Sequence, residues 1–321
     1  MLDIFLVTFP FFALVLAGYV AGKRGMLPME AIPGLNGFVL YFALPCMLYR
    51  FGASLPVKQL FDPTAFLTYL FCAIVMVGFT LAISLGGRIG WKDASFGALV
   101  AAFPNTGFMG VPLLVALLGP QAAGPAILTI LVDLIFTSSI CIALSTLDGA
   151  GQRSTARALK NALRGVAVNP MPWAILLGAL SSALSIQLPM AMSQTLGMLA
   201  DAASPVALFT IGAVLARSYR PSRNGDASAS QGHSYLPVAL LKLLLHPLLV
   251  LLVGSGVIYA GGALSKPTLM VMVLVAALPS ASNVAMLAER FEADSGRIAR
   301  IILVTTSVSF LTFSTAVGLL R

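Results

Sequence analysis

Charge is what this sequence has least of. Only 9% of its 321 residues are Asp, Glu, Lys or Arg, while 59% are hydrophobic. A typical soluble domain is about 25% charged, so a water-soluble globule is excluded and an all-α integral membrane protein is expected. Cysteine is also scarce. Cys46, Cys72 and Cys141 each fall inside an apolar stretch, without the clustered spacing of a disulfide frame or a metal site. They read as small buried hydrophobes, and no cofactor is called for. The first apolar run has Asp3 ahead of it but no basic flank or small-residue cleavage site. It reads as a retained span rather than a secretory signal.

The net charge of +8 does not point to nucleic acid, because the basic residues lie in short loops between apolar spans. A spanning helix needs about 20 mostly apolar residues. Ten such stretches are present: 4–22, 32–50, 64–86, 95–118, 124–146, 171–187, 195–217, 236–261, 267–288 and 298–320. Two polar connectors interrupt them, at 147–170 and 218–235, the second rich in Ser, Gly, Arg and Asn. With the N-terminus outside, fourteen Lys and Arg fall in inward loops and four outward, and Lys242 lies within span eight. Positive charge is retained on the cytoplasmic side, so both termini are expected on the non-cytoplasmic face.

Span four contains 101–112, Ala-Ala-Phe-Pro-Asn-Thr-Gly-Phe-Met-Gly-Val-Pro. Proline lacks a backbone donor and its ring clashes with the carbonyl four residues back, so the helix should break at Pro104 and again near Pro112. Irregular backbone at membrane depth survives only where protein buries it or water lines it. Span nine repeats the pattern at 276–283, Ala-Ala-Leu-Pro-Ser-Ala-Ser-Asn, with Pro279 as the break. Spans two and seven also match, around Pro45 and Pro205. Five spans per copy is odd, so the second copy enters the membrane upside down, a 5+5 inverted repeat. The expected division is 1–147 for the first repeat, 148–170 for a cytoplasmic connector and 171–321 for the second repeat.

Paired broken helices mark a transporter's binding site. Each helix half that starts after a break offers unpaired N–H groups and a positive dipole end, which attract anions. Asn105 or Thr106, and Ser280 or Ser282, are suited to cap those halves. Asn105, Thr106, Gly107, Ser280, Ser282 and Asn283 are therefore the candidate cradle for a carboxylate. The plainer reading is proline kinks with hydroxyls bonded back to carbonyls. Asn36 and Tyr41 in span two are further candidates for lining the cavity, against plainer roles as a cap and a packing residue. Ionisable residues inside spans are costly and mark pathways or partners. Asp133 and Asp201 are candidates for a proton or sodium site, or for partners of Lys242. Lys242 and His246 are four apart and share a helix face, although a lysine can snorkel and His246 can simply pack ahead of Pro247.

Enzyme chemistry finds no footing. Neither intramembrane aspartate lies in a Gly-x-Gly-Asp motif, and Ser255 lies on the side of its helix opposite His246, out of reach of a base. No phosphate-binding Walker loop is present either.

Several stretches together resemble the bacterial branch of the auxin efflux carrier family, which includes malonate-transporter-like proteins. They are Gly18-Tyr19 with Gly22-Lys23-Arg24-Gly25, Leu35-Asn36, Tyr41-Phe42-Ala43-Leu44-Pro45, Pro104-Asn105-Thr106-Gly107-Phe108-Met109-Gly110-Val111-Pro112 and Pro205-Val206-Ala207-Leu208-Phe209-Thr210-Ile211-Gly212. The resemblance implies ten transmembrane helices, with spans four and nine crossing at their unwound centres. It further implies kinship with bile-acid–sodium symporter and sodium/proton antiporter folds, elevator-type alternating access and organic-anion substrates. A bacterial inner-membrane location and a homodimer would follow. It assigns Asn105 to the substrate carboxylate. Gly107 stands where the plant members carry tyrosine, and the long central loop of the plant members is missing, which favours a small carboxylate over an indole. The rival expectation is a cation/proton antiporter or sodium-coupled symporter working through Asp133 and Asp201.

Overall fold

The computed structural model describes residues 2–28, 30–54, 62–85, 89–145, 167–168, 170–218 and 235–320. Most of the two polar connectors lies outside the described residues. Among those residues the secondary structure is helical, apart from one isolated bridge between two breaks. The helices are α1 Leu2–Lys23, α2 Ala31–Ser54, α3 Pro63–Leu85, α4 Trp91–Ala102, α5 Thr106–Leu118 and α6 Pro120–Leu144. There follow α7 Pro170–Ala183, α8 Met190–Ser218, α9 Leu236–Tyr259, α10 Lys266–Ala276, α11 Asn283–Arg290 and α12 Ser295–Leu320.

Among the described residues six helices are long and apolar enough to cross a membrane: α2, α3, α6, α8, α9 and α12. Four apolar helices are shorter, at Phe9–Lys23, Thr106–Leu118, Pro170–Ala183 and Lys266–Ala276. Two of these short pieces flank the expected breaks. Span four is split into α4 and α5, and span nine into α10 and α11, because neither segment can keep a helical hydrogen-bond ladder through its proline.

Proline acts more gently elsewhere. Helix α2 widens into a π turn at Val39–Ala43 just before Pro45, α5 at Thr106–Gly110 before Pro112, and α9 at Leu241–Leu245 before Pro247. Moving the bonding from i+4 to i+5 relieves the clash of the ring with the preceding turn. A fourth π turn, Val132–Thr137 in α6, has no proline; there the Ser138 hydroxyl donates to the Asp133 carbonyl at 2.8 Å.

The chain forms two compact units. The first gathers α1, α2, α5, the part of α6 up to Ile130, α7 and α8. Its core depends on close backbone contact. A Cβ placed on Gly18 would land on the Phe209 carbonyl, and one on Gly212 would land on that of Val15, so α1 and α8 meet with no side chain between them. Gly52 and Gly178 play the same part between α2 and α7, where the Tyr49 and Ser181 hydroxyls also bond at 2.9 Å.

The second unit gathers α3, α4, the part of α6 from Leu131, and α9 to α12. Helix α4 is buried from Ala94 to Ala102 and α10 from Val271 to Ala276. Burial on all sides explains why both read as continuous apolar runs rather than amphipathic ones. One end of this unit is closed by a polar clasp. Asp93 accepts the Asp294 N–H at 2.7 Å, and the buried Arg297 donates to the Asp93 carbonyl at 3.0 Å. Asp294 caps α12 by accepting the Arg297 N–H at 2.8 Å.

Candidate functional site

The two proline breaks lie against each other within the second unit. Pro104 and Ser280 form an antiparallel bridge. The Asn105 N–H donates to the Pro279 carbonyl at 2.8 Å, and the Ala281 N–H donates to the Phe103 carbonyl at 3.0 Å. Each break thus supplies the backbone partners the other lost, which is how non-helical backbone persists in an apolar interior. A third tie comes from α12. The Thr305 hydroxyl accepts the Ser280 N–H at 3.2 Å and donates to the Ile301 carbonyl at 2.8 Å.

Around this bridge the polar side chains are buried and incompletely satisfied. Asn105 is only 4% exposed and Ser280 is fully buried. The Ser280 hydroxyl and the Asn283 amide oxygen have no protein hydrogen-bond partner, nor does the buried Thr106 hydroxyl, next in the chain after Asn105 and part of the first unit. Native interiors leave few such groups unpaired, so Ser280 and Asn283 mark a place in the second unit suited to a polar guest. The capping expectation is corrected in part. Ser282 occupies the N-cap of α11, but its backbone is already helical and its side chain makes no capping bond. The first N–H groups of α11 are therefore not capped by Ser282.

A second polar group lies deeper in the same unit. Asp133 is fully buried; Tyr69 donates to one carboxylate oxygen at 3.2 Å and Thr137 to the other at 3.0 Å. Lys242 is also fully buried, so it does not snorkel. Its ammonium donates to the Ala276 carbonyl at 3.1 Å and sits 2.9 Å from His246 Nδ1. An ammonium only donates, so Nδ1 accepts and the neutral ring carries its proton on Nε2, which has no protein partner. Asp133 and Lys242 act on each other electrostatically without a direct ion pair. Ala276 ends α10, so Lys242 places a positive charge at the negative end of that helix, four residues before Ser280. Both Asp133 and Lys242 sit in π turns.

The remaining candidates behave differently. Asp201, weighed from sequence as a partner for Lys242, pairs instead with Arg50 at 2.7 Å in the first unit. Tyr41 is 64% exposed, and Asn36 is half-buried on α2. Gly107 follows Thr106 in the first unit, where an added Cβ would meet Leu44 at an ordinary 3.7 Å. Pro104 and Pro279 are at the bridge, but Pro112, expected as a second break in span four, lies inside α5, where the preceding π turn accommodates its ring and the helix continues. Among the described residues no three His, Cys, Asp or Glu side chains gather in a metal-binding group. Sequence reasoning missed Tyr69, Thr137, Thr305 and Arg50. The only sequence signal for the first three was a hydroxyl on an apolar span, which many back-bonded hydroxyls share.

Comparison with known proteins adds an independent line. A family model described as "Membrane transport protein" matches residues 4–317. The chain is 30% identical over 313 residues to a protein of Rhizobium meliloti (strain 1021) named "Putative malonate transporter", covering 97% of this chain and 94% of that relative. It is 29% identical over 287 residues to the "Uncharacterized transporter YfdV" of Escherichia coli (strain K12), covering 88% and 86%. An uncharacterized transporter of Methanothermobacter thermautotrophicus is 28% identical over 302 residues.

Proposed function

The chain belongs to the membrane transport protein family, and from that premise we propose that it carries a small organic anion, a carboxylate or dicarboxylate of malonate's class, by alternating access. The observation that carries this reading is the paired break. One carboxylate oxygen is held by the Asn105 amide and the Ser280 hydroxyl, the other by the positive dipole end at the start of α11, where the Val284 and Ala285 N–H groups already bond the Ala281 and Ser282 carbonyls. Asn283 supplies a further polar contact. The orphaned Ser280 and Asn283 atoms support the assignment, and so does malonate in the name of the Rhizobium meliloti relative. The substrate gains charge-assisted hydrogen bonds, which contribute about 1.5–3 kcal/mol each. Loss of Asn105 should therefore weaken binding roughly tenfold or more. Uptake of labelled malonate into proteoliposomes is the test: Asn105→Ala should lose at least about tenfold in affinity while keeping its thermal unfolding profile, and wild-type uptake by that variant would sink the assignment.

In this reading the four short apolar helices also enter the membrane. The chain then makes ten passes as two inverted copies, with spans four and nine meeting at Pro104 and Pro279, in the inner membrane with both termini outside. The matching Ala-Ala-x-Pro sequences at two segments that pair with each other favour such a repeat, and the elevator-type movement follows from it.

A second reading rests on a specific observation, the buried Asp133, Lys242 and His246 set. It gives the carrier a coupling ion, a proton or sodium, or makes it a cation/proton antiporter. Lys242 ties that set to the end of α10, so a change of charge at Asp133 would be felt at the break. Under this reading Asp133→Asn abolishes the dependence of uptake on proton or sodium gradients, and uptake that never responds to either gradient in the wild type rules coupling out.

A further inference from the structure

Lys242 and His246, both in the second unit, are the buried pair that anion binding at the break leaves unused. The Lys242 ammonium has two hydrogen-bond partners, the Ala276 carbonyl at 3.1 Å and His246 Nδ1 at 2.9 Å, and both are neutral. Asp133 balances its charge through space, without a direct ion pair among the described residues. An ammonium held this way can give up a proton, which a guanidinium in its place could not.

The acceptor for that proton is already in contact. His246 is fully buried, and its Nε2 has no protein partner. Two nitrogens on opposite sides of an imidazole let a proton enter at one and leave at the other. As the Nζ–H bond breaks, its hydrogen bonds to Nδ1; the Nε2–H bond breaks, and its hydrogen passes to a water as a proton. The lysine is left as a neutral amine and the ring as its other neutral tautomer. The bond between Nζ and Nδ1 survives with donor and acceptor exchanged. A buried ring N–H without a protein acceptor is a natural seat for such a water.

Asp133 is engaged differently. Both its oxygens accept hydroxyl hydrogens, from Tyr69 at 3.2 Å and from Thr137 at 3.0 Å. Tyr69 also sets its ring against His246, with centroids 6.1 Å apart, so one side chain positions the counter-charge and the relay together. The same occupancy leaves a sodium ion few free oxygens, beside a like charge. The other ionisable groups of α3 and α6 are the thiols Cys72 and Cys141. Helices α4, α10 and α12 also meet this turn. Their ionisable groups are Lys92 and Asp93, Lys266, and Arg297 and Arg300, each within the first two turns of its helix. Of all these, Asp133 is the charge that acts on Lys242.

We infer that the protein takes up a proton with its anion, that Lys242 holds this proton and that His246 passes it on. Ala276 ends α10, and Ser280 is four residues further, at most about 14 Å along the chain. A positive charge on Lys242 is in range to favour an anion at the break, and the anion favours the charge in return, because coupling between sites is reciprocal. This deepens the coupled form of the organic-anion reading above and rests on it.

The test titrates the full-length chain, purified in detergent, with malonate by calorimetry. Buffers of different ionisation heat are used from about pH 7 upward, where carboxylates are ionised. The wild type should take up protons on binding, about half a proton per malonate at the maximum, and its affinity should fall about tenfold toward alkaline pH. Lys242→Arg keeps the charge but releases no proton, so its affinity should not change with pH and no proton should be taken up. Lys242→Gln should show the same indifference to pH at an affinity about tenfold weaker. His246→Gln should still take up the proton at equilibrium, yet slow malonate uptake driven by a pH gradient into proteoliposomes at least about tenfold. Malonate binding without proton uptake in the wild type, or proton uptake that survives in either Lys242 variant, overturns Lys242 as the carrier and leaves the anion reading in place. Wild-type speed in His246→Gln overturns the relay. A wild type that binds no malonate removes the anion reading and the coupling with it.

Discussion

Lys242 and Gly18 show how much a single position can decide here. A lysine in an apolar helix would normally bend its stem toward the headgroups, but Lys242 is held inside by the Ala276 carbonyl, His246 and the field of Asp133. Only a position surrounded on all sides by such partners makes a buried ammonium tolerable. Gly18 decides by having no side chain. Its α-carbon lies against the Phe209 carbonyl, and Gly212 opposite does the same to Val15. Without a hydrophobic driving force between helices in lipid, close backbone approach is what packs them. Gly18→Val should push α1 from α8 and cost roughly 1–3 kcal/mol, the usual effect of overpacking. A lowered midpoint in a thermal unfolding assay in detergent checks this; an unchanged midpoint would mean the two helices can separate freely.

At the scale of elements, the broken helices are stable because each break completes the other. Phe103 and Ala277 keep the last α-helical bonds, to Leu99 and Val273; beyond them the chain leaves the helix and recovers two hydrogen bonds across the bridge and one from Thr305. Thr305→Val keeps the shape of the side chain but leaves the Ser280 N–H buried without an acceptor, a penalty of about 1–3 kcal/mol. Transport should fall along with thermal stability, and Thr305→Ser should restore most of both. If Thr305→Val transports normally, the α12 hydroxyl is not needed to hold the break. The π turns follow the same logic on a smaller scale, since three of the four precede a proline whose ring the preceding turn must accommodate.

At the scale of the molecule, six helices among the described residues meet the length and hydropathy required to span a membrane and four apolar helices do not. The proposed ten passes require the four shorter ones to enter the bilayer as well, two of them as halves of broken segments. Single cysteines introduced one at a time into a cysteine-free chain, at each end of every helix, give the count when labelled with impermeant reagents from either side. The expected pattern has both termini on the non-cytoplasmic side and α4 and α5 together making one crossing. Opposite sides for the two termini would remove the ten-pass arrangement and the inverted repeat with it.

The sequence by itself determined the apolar class, the breaks at Pro104 and Pro279 though not one at Pro112, and the family. Each rests on properties carried by a local stretch: the hydropathy of about 20 residues, the missing donor of proline, and the Asn-Thr-Gly-Phe-x-Gly-x-Pro run at 105–112. It also placed Lys242 and His246 on one face, because four residues make about one helical turn. Only the tertiary structure decided which polar groups meet. Ser280 lies against Pro104, Asp133 takes bonds from Tyr69 and Thr137, Lys242 reaches Ala276, and Asp201 turns to Arg50. Most of these contacts join residues far apart in the chain. Hydropathy and turn chemistry act along the chain, whereas the partner of a buried polar group is fixed by which helix faces are packed together.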